Sequence, residues 1–324
     1  KNKRRIVRED STYILNGTSG QIKMEFIHTT HSTIQCVFVA MHTSEGTFFY
    51  ALDFKFDNYP VIGDPPRYNK LRELGRKGIK ALVLDSLYSG TERKTPSERI
   101  ARNLVEDALG SVRDKKSALI VTTFSSHIAR LKSIVDFGRK TGRQIVFVGR
   151  SLNKYVTAAI QVGQCPFKKD VIMMKYRKQV DSFLKKIEKD RGKYLLVCTG
   201  HQAEPGSILD RIAKDETPLK LKEGDNIIFA SSVIPVSVNI NARDRMDKRL
   251  RKKGVRIQTD VHVSGHGSRE DMRDLLIMLK PQHVIPAHGS LQQETPLIEL
   301  AGELGYKFGE TSHLSPNGKV LRFD

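Results

Sequence analysis

The chain has 324 residues, which is enough for two ordinary domains and too long for one small module. Hydrophobic residues make up 39% of it and charged residues 28%, so packed cores are expected and wholesale disorder is excluded. No apolar run approaches the roughly 18 residues that a membrane span needs, and the first residues lack the layout of a secretion signal. The three cysteines are scattered singly, which excludes a disulfide scaffold. We therefore expect a cytoplasmic protein with no membrane partner.

The net charge is strongly positive. There are 55 Lys and Arg residues against 36 Asp and Glu residues, a formal charge of +19 at pH 7. Residues 168–193 carry ten basic residues against four acidic ones, and residues 241–258 carry eight against two. Such an excess favours a polyanionic partner, because each neutralised phosphate releases condensed counterions. A merely well-solvated surface is the alternative that charge alone leaves open.

The first predicted elements are strands. Residues 36–42 and 47–53 are apolar and flank a short turn, and a third strand over 81–84 ends at Asp85. From about residue 97 apolar, β-branched runs alternate with helical stretches, which predicts a mostly parallel sheet covered by helices. The strands of that part are predicted over residues 118–123, 144–148, 194–198 and 226–230, with a helix over 126–138.

Three further helical or strand segments are predicted towards the end of the chain: a strand over 259–263, a helix over 269–279 and a strand over 283–285. The helix ends at Lys280-Pro281. Within the basic segment 168–193, another helix is predicted from an apolar stripe formed by Val180, Phe183, Leu184 and Ile187. Its lysines are expected on the outward faces.

Small polar residues follow four of the predicted strands directly. They are Ser125-Ser126, Gly149-Arg150-Ser151, Thr199-Gly200-His201-Gln202 and Ser231-Ser232. In open α/β sheets, ligands bind beyond the carboxyl ends of the strands, where helix N-termini present N–H groups to phosphate. Any one of these segments is also an ordinary cap or turn. Four of them in a basic region indicate a phosphate-binding cleft.

Histidines and aspartates also stand at strand ends. Among them are His31, Asp53, Asp85, His266 and His288. Imidazoles and carboxylates on strand-end loops are the donors of a metal site with open positions. A single histidine of this kind is more often a hydrogen-bonded structural residue, so spacing alone leaves both interpretations open.

The motifs resemble a known family. The series HTTHST, ALDFKFD, LDSLYSGTERKTPSER, TFSSH, GRSLNK, CTGHQAEPGS, FASSVIP, HVSGHGSRE and IPAHG is similar to ribonuclease J of the metallo-β-lactamase/β-CASP superfamily, and in its details to the archaeal branch. The resemblance runs in order from about residue 20 to the end of the chain. The pair HVSGH and PxHG with a helix between them is the specific part of the signal.

The resemblance implies a set of metal-binding and catalytic residues. The metal ligands fall on His31, Asp53 and His288, and two divalent ions, zinc or manganese, are implied. The first β-CASP motif falls on Asp85 and the second on His266. In the implied mechanism the ions activate a water for in-line attack on a phosphodiester, with His266, Asp85 and Asp53 as catalytic residues. His266 contacts or protonates the scissile phosphate region, and Asp85 orients a histidine.

The implied substrate is single-stranded RNA. Its phosphates are expected to contact Ser126, Ser151, Ser264 and His266, which agrees with the reading of the strand ends. The implied activity is processive 5′→3′ exoribonuclease action in RNA decay or processing, by a protein that is commonly a homodimer.

The resemblance also implies an α/β fold with two domains. A metallo-β-lactamase αββα domain, residues 1–96 and 265–324, is split by an inserted β-CASP domain with a parallel sheet, residues 97–264. RNA is expected to lie between the two domains.

The sequence departs from the family pattern in one major respect. The HxHxDH motif, which supplies most of the metal ligands and should precede His31 by roughly 65 residues, is absent. We therefore expect the N-terminal half of the lactamase domain to be missing and this chain alone to be inactive. Two alternatives stay open: a non-catalytic RNA-binding fragment, and a β-CASP endoribonuclease of the RNA 3′-end-processing kind.

Overall fold

The structure is a computed structural model that describes residues 5–18, 20–234 and 236–323. The chain divides into two compact units. The first unit is built from both ends of the chain, residues 1–97 and 264–324, and the second from residues 98–263. The assignment of residues 1–96 and 265–324 to a lactamase domain and of 97–264 to a β-CASP domain stays a prediction.

A six-stranded mixed sheet forms the first unit, in the order β1-β2-β3-β4-β5-β12. Strands β1 to β4 are an antiparallel meander, whereas β5 pairs parallel to β4 and β12 pairs parallel to β5. The strands are β1 (Ser11–Gly17), β2 (Gly20–Thr29), β3 (Cys36–Thr43), β4 (Gly46–Ala51), β5 (Ala81–Asp85) and β12 (His283–Ala287). This order places the carboxyl ends of β4, β5 and β12 side by side at one edge.

Three helices cover the sheet of the first unit: α1 (Tyr68–Lys77), α8 (Arg269–Leu279) and α9 (Leu291–Glu303). Helix α8 begins in a capping box, in which the side chains of Ser268 and Asp271 bond each other's backbone N–H groups. Its buried face shares one core with Phe38, Phe49 and Phe54. Helix α1 packs closely on α8, because a Cβ at Gly75 would lie 2.0 Å from the Met278 carbonyl oxygen.

The second unit is a six-stranded parallel sheet in the order β11-β10-β6-β9-β7-β8. Its strands are β6 (Leu119–Thr122), β7 (Gln144–Val148), β8 (Val171–Met174), β9 (Tyr194–Cys198), β10 (Asn226–Phe229) and β11 (Arg256–Gln258). Its helices are α2 (Glu98–Gly110), α3 (Ile128–Lys140), α4 (Arg150–Gln161), α5 (Arg177–Lys189), α6 (Ile208–Ala213) and α7 (Ser237–Lys252), and a 3₁₀ turn spans Arg191–Lys193. Strands covered on both faces read as continuous apolar runs, as they do here.

The predicted α/β fold class is confirmed, and so is the parallel sheet of the inserted segment. The apolar stripe of α5 is buried as expected. Among the described residues, no helix combines the length and the apolar character that crossing a membrane requires.

The strand predicted over residues 259–263 is wrong. Strand β11 lies earlier, because its three residues Arg256–Gln258 pair with the edge of the short strand β10. After it, the carbonyls of Val261 and Val263 accept hydrogen bonds from the guanidinium of buried Arg130, at 3.3 and 3.4 Å. A buried arginine therefore takes the place of a neighbouring strand for this β-branched segment.

Candidate metal centre

The candidate centre lies at the carboxyl edge of the sheet in the first unit. Asp53 follows β4 by two residues, Asp85 is the last residue of β5, and His288 follows β12 directly. Strand β2 runs in the same direction as β4, since two antiparallel pairings separate them, and His31 follows its end. His266 precedes α8. Strand direction thus gathers residues that are far apart in the chain.

Three side chains form a compact group. One donor atom each from Asp53, His266 and His288 lies within 4.8 Å of the other two. The Nδ1 atom of His288 is 3.3 Å from Oδ1 of Asp53. On the other side, Nε2 of His31 is 4.0 Å from Oδ2 of Asp53, and the His31 and His266 rings meet edge to face with centroids 4.8 Å apart.

Asp85 lies beneath this group and is fully buried. Its Oδ2 accepts a hydrogen bond of 2.7 Å from Nδ1 of His266, and its Oδ1 accepts one of 3.0 Å from the Leu87 amide. Burial alone would raise the pKa of Asp85, but the hydrogen bonds from His266 and His288 outweigh it and lower that pKa to about 2. The carboxylate is therefore charged at neutral pH and holds His266 with the proton on Nδ1.

His288 adopts a backbone conformation that only a few non-glycine residues adopt, with φ of +62°. Its side chain is partly exposed, and the hydrogen bond to Asp85 raises its pKa. Residues held in the left-handed region cluster at ligand-binding sites, where the surroundings over-determine them. Here the turn after β12 directs His288 towards both Asp53 and Asp85, at 3.3 and 3.5 Å.

Gly265 is a residue of the centre that the sequence analysis did not identify. Its carbonyl accepts a hydrogen bond of 2.8 Å from Nδ1 of His31, which leaves the lone pair on Nε2 for a metal. A Cβ at this position would lie 2.0 Å from Oγ of Ser32 and 3.0 Å from the His31 ring. The loop can therefore approach His31 only with glycine here. The sequence signal that could have identified this residue was a glycine directly between Ser264 and His266.

Ser264 braces the same loop. Its hydroxyl accepts a hydrogen bond of 3.0 Å from the His266 amide, and it is hydrogen-bonded to the Tyr88 side chain. These contacts position His266. The predicted contact of Ser264 with a phosphate stays a prediction.

The other two predicted phosphate contacts belong to the second unit. Ser126 is half-buried in the turn after β6, and its carbonyl accepts a hydrogen bond of 3.0 Å from the Ile128 amide at the start of α3. Ser151 is exposed as the second residue of α4, directly after β7. Both residues stand at the carboxyl edge of the parallel sheet, as expected.

The donor set fits a divalent metal ion. Imidazole nitrogens and carboxylate oxygens bind Zn²⁺ at about 2.0–2.2 Å, so that two donors on one ion stand at most about 4.4 Å apart. Nδ1 of His288 and Oδ1 of Asp53, 3.3 Å apart, stand within that limit. His31 and Asp53 are close enough to hold a further ion between them. The hydrogen bonds that His31 donates to the Gly265 carbonyl and His266 donates to Asp85 orient these imidazoles as supporting groups do in metal sites.

Two family descriptions match this chain. "Ribonuclease J, beta-CASP domain" matches residues 116–243, and "Zn-dependent metallo-hydrolase RNA specificity domain" matches residues 254–308. A solved structure, titled a protein of unknown function from Enterococcus faecalis, superposes with a TM-score of 0.60 at 14% identity, covering 98% of this chain and 66% of that one. This last likeness concerns the fold alone.

Curated relatives define the family more closely. Ribonuclease J of Pyrococcus abyssi is 42% identical over 94% of this chain and 67% of its own length. Ribonuclease J of Methanocaldococcus jannaschii is 40% identical over 94% of this chain and 68% of its own. Ribonuclease J of Sinorhizobium meliloti is 30% identical over 94% of this chain and 52% of its own length. The chain thus spans about two thirds of the archaeal relatives and about half of the bacterial one.

The fold and these matches identify a metal-dependent hydrolase of the metallo-β-lactamase/β-CASP superfamily. Within it, the chain belongs to the ribonuclease J family. The family resemblance read from the motifs is confirmed.

Proposed function

We propose that this chain forms the hydrolytic and RNA-binding part of a metal-dependent ribonuclease that degrades single-stranded RNA in the 5′→3′ direction. One observation carries the proposal: donor atoms of Asp53, His266 and His288 lie within 4.8 Å of one another, over a buried, charged Asp85. The names of the relatives support a ribonuclease. The direction of degradation rests on the family resemblance.

The metal ligands of this chain are His31, Asp53 and His288. These residues would hold two divalent ions, zinc or manganese, which would supply an activated water and charge stabilisation on the phosphate oxygens. The two oxygens of Asp53 face different imidazoles, Oδ1 towards His288 and Oδ2 towards His31, so Asp53 would offer a ligand atom on each side. The left-handed turn at His288 and the carbonyl of Gly265 fix the two imidazoles.

His266 acts on the scissile phosphate. With Nδ1 hydrogen-bonded to Asp85, its Nε2 is the nitrogen that meets the substrate, either as a hydrogen-bond donor to a phosphate oxygen or as the acid that protonates the leaving oxygen. Asp85 fixes the proton on Nδ1 of His266 and prevents the ring from turning. Asp85 is therefore a positioning residue, which acts through His266.

RNA is held by its phosphates. The proposed contacts are the hydroxyls of Ser126, Ser151 and Ser264, with His266, and the basic segments 168–193 and 241–258 supply backbone attraction. The charge of +19 makes binding steeply salt-dependent, because each neutralised phosphate releases counterions. Recognition through phosphates and hydroxyls is independent of base sequence, as a degradative enzyme requires.

We also propose a cytoplasmic homodimer. All three cysteines, Cys36, Cys165 and Cys198, are unpaired thiols, as expected in a reducing compartment. Dimerisation rests on the family resemblance and is checked by the molar mass in light scattering at micromolar concentration.

The proposal is tested with Asp53→Ala in the full-length gene product, with Asp107→Ala as a control on the exposed face of α2. We measure bound metal by mass spectrometry and the turnover of a 5′-labelled 30-nucleotide RNA. We expect wild type and control to hold about two ions and to release labelled mononucleotide, and Asp53→Ala to lose both metal and at least about 100-fold in rate.

Three results would contradict parts of the proposal. Internal fragments instead of labelled mononucleotide would identify an endoribonuclease. Unchanged turnover in Asp53→Ala would remove the assigned centre. Salt-dependent RNA binding with no turnover in any variant would mean that the protein binds RNA without cleaving it.

A further inference from the structure

A cavity of about 540 Å³ lies at the carboxyl edge of the parallel sheet in the second unit. Its wall comes from the segments that follow three neighbouring strands: Gly149-Arg150-Ser151 after β7, Lys175-Tyr176 after β8, and Thr199 after β9. Arg211 of α6 closes it. The size is within the range of small-molecule sites, about 300–1,000 Å³. Nothing in the metal centre of the first unit uses these residues.

The cavity is lined by four cations. Arg150, Lys175, Arg177 and Arg211 contribute to its wall, and none of the described residues that line it is acidic. One carboxylate, Asp181, stands behind two of the arginines, 3.3 Å from Arg211 and 3.8 Å from Arg177. Arg211 is largely buried, so its charge is less screened than that of the exposed cations. The excess of positive charge in the wall favours the binding of an anion.

The wall also supplies directed hydrogen-bond donors. Helix α4 starts at the cavity, and its N-cap, Gly149, has no side chain to bond the first amides, which a ligand phosphate can accept instead. Gly149 has φ of +124°, and a Cβ there would lie 3.8 Å from the Thr199 hydroxyl. The backbone of Gly149 therefore lies close to Thr199, which lines the same cavity. Ser151 adds a second hydroxyl. The Asp210 carboxylate, at the start of α6, accepts a hydrogen bond from the Gly206 amide and is paired with Lys214 at 2.8 Å.

An aromatic ring stands at the rim. The Tyr176 side chain lines the cavity although the residue is 59% exposed, and Lys175 Nζ lies 5.0 Å from its ring centroid. Exposed aromatic rings next to cations are how proteins bind single-stranded nucleic acid, with bases stacked on the ring and phosphates on the cations. A free phosphate would need the cations but not the ring.

We propose that this cavity binds one nucleotide unit, with its phosphate between Arg150, Lys175 and Arg211 and its base on Tyr176. The proposal rests on the proposed function to the extent that single-stranded RNA supplies that unit. A free nucleoside monophosphate has the same chemistry and is the second source. The site is formed wholly within the second unit and is independent of the metal ligands.

The test compares Arg150→Gln/Lys175→Gln with a matched pair, Lys115→Gln/Lys116→Gln, in the full chain. Both pairs remove two exposed charges from the second unit, but the matched pair lies before β6, outside the cavity and outside both basic segments. Binding of a fluorescent 12-nucleotide oligoadenylate is measured between 50 and 300 mM salt in EDTA, where no cleavage occurs. Tyr176→Ala and Tyr176→Phe are measured alongside, and circular dichroism verifies folding.

For Arg150→Gln/Lys175→Gln, the cavity pair, we expect two changes. The slope of the logarithm of the RNA-binding constant against the logarithm of the salt concentration falls by about 1.4. The affinity for the oligoadenylate drops about tenfold at 100 mM salt. Tyr176→Ala loses roughly 5-fold or more, and Tyr176→Phe restores binding because it keeps the ring. If the cavity pair and the matched pair lose equally, and Tyr176→Ala loses nothing, the cavity is not a nucleotide site.

Adenosine monophosphate distinguishes the two sources. If it binds wild type and not the cavity pair while RNA binding is equal in both, the occupant is the free nucleotide. If the cavity pair loses RNA and millimolar nucleotide fails to compete, the occupant is the strand. Because binding is measured in EDTA, these outcomes stand even if the Asp53→Ala experiment disproves the proposed hydrolysis.

Discussion

The two units use the same architectural position for opposite charges. In the first unit the carboxyl ends of β4, β5 and β12 carry Asp53, Asp85 and His288. In the second, the ends of β7 and β8 lead into Arg150 and Lys175. Parallel strands bring successive loops to one edge in both cases, and side-chain chemistry alone decides whether that edge attracts a cation or an anion.

The difference extends to burial. The carboxylate that supports the first site, Asp85, is fully buried and hydrogen-bonded, whereas most of the cations of the second are exposed. A site for chemistry needs fixed groups with defined protonation, while a site that holds a moving strand works with mobile cations on long side chains. Substitutions in the first unit should therefore change rate, and substitutions in the second should change affinity.

The largest expected effect is that of His266→Ala. Loss of the group that we propose meets the scissile phosphate should lower kcat about 10²–10⁴-fold, while RNA affinity falls much less because the second unit retains its cations. His283→Ala is the control, since that histidine contacts His313 at 3.1 Å outside the centre. Single-turnover kinetics and binding in EDTA separate the two quantities. A loss of RNA affinity as large as the loss of rate would contradict the assignment of catalysis to the first unit and of RNA binding to the second.

Asp85→Asn should act through His266. The amide keeps the shape but not the charge, so the imidazole loses the partner that fixes its proton, and rate should fall roughly 10–100-fold. Asp271→Asn is the matched control, because this buried carboxylate caps α8 through the Thr95 and Ser268 amides and should lower only the melting temperature. Asp85→Asn combined with His266→Ala should be no slower than His266→Ala alone. Additive losses would show that Asp85 acts by another route.

The smallest effect concerns His201, at the end of β9. Burial and the nearby Arg243 lower its pKa to about 4, and neither ring nitrogen has a hydrogen-bond partner among the described residues. The unfolded chain binds this proton near pH 6.5 and the folded chain only near pH 4. The contribution to stability is therefore complete above pH 6.5 and is lost as pH falls towards 4.

Between pH 7 and pH 5 the wild type should lose about 2 kcal/mol of unfolding free energy through this group. His201→Leu should lack that part of the pH dependence, as measured by urea unfolding at both values. Parallel curves for the two proteins would mean that the imidazole is solvated in solution.

The sequence carried enough signal for the sheets and for the strand ends that bring Asp53, Asp85 and His288 together, and its failures have physical causes. Asp53, Asp85 and His288 end apolar runs, so strand direction alone brings them together. Gly265 was missed because its role depends on how closely the loop approaches His31. The segment 259–263 was misread because its partner is the guanidinium of Arg130, 129 or more residues away in the chain and invisible to local periodicity. The cavity needed Tyr176 and Arg211 together, which only the fold shows.

The separation of Asp85 from His266 by 181 residues has a consequence for synthesis on the ribosome. The second unit is continuous in sequence and can fold while the chain is being made, but the first unit waits for its last strand. At about 5–20 residues per second, roughly ten to forty seconds separate the emergence of the two residues. During that interval Asp85 has no partner histidine, so the candidate centre is completed only after the whole second unit has been synthesised.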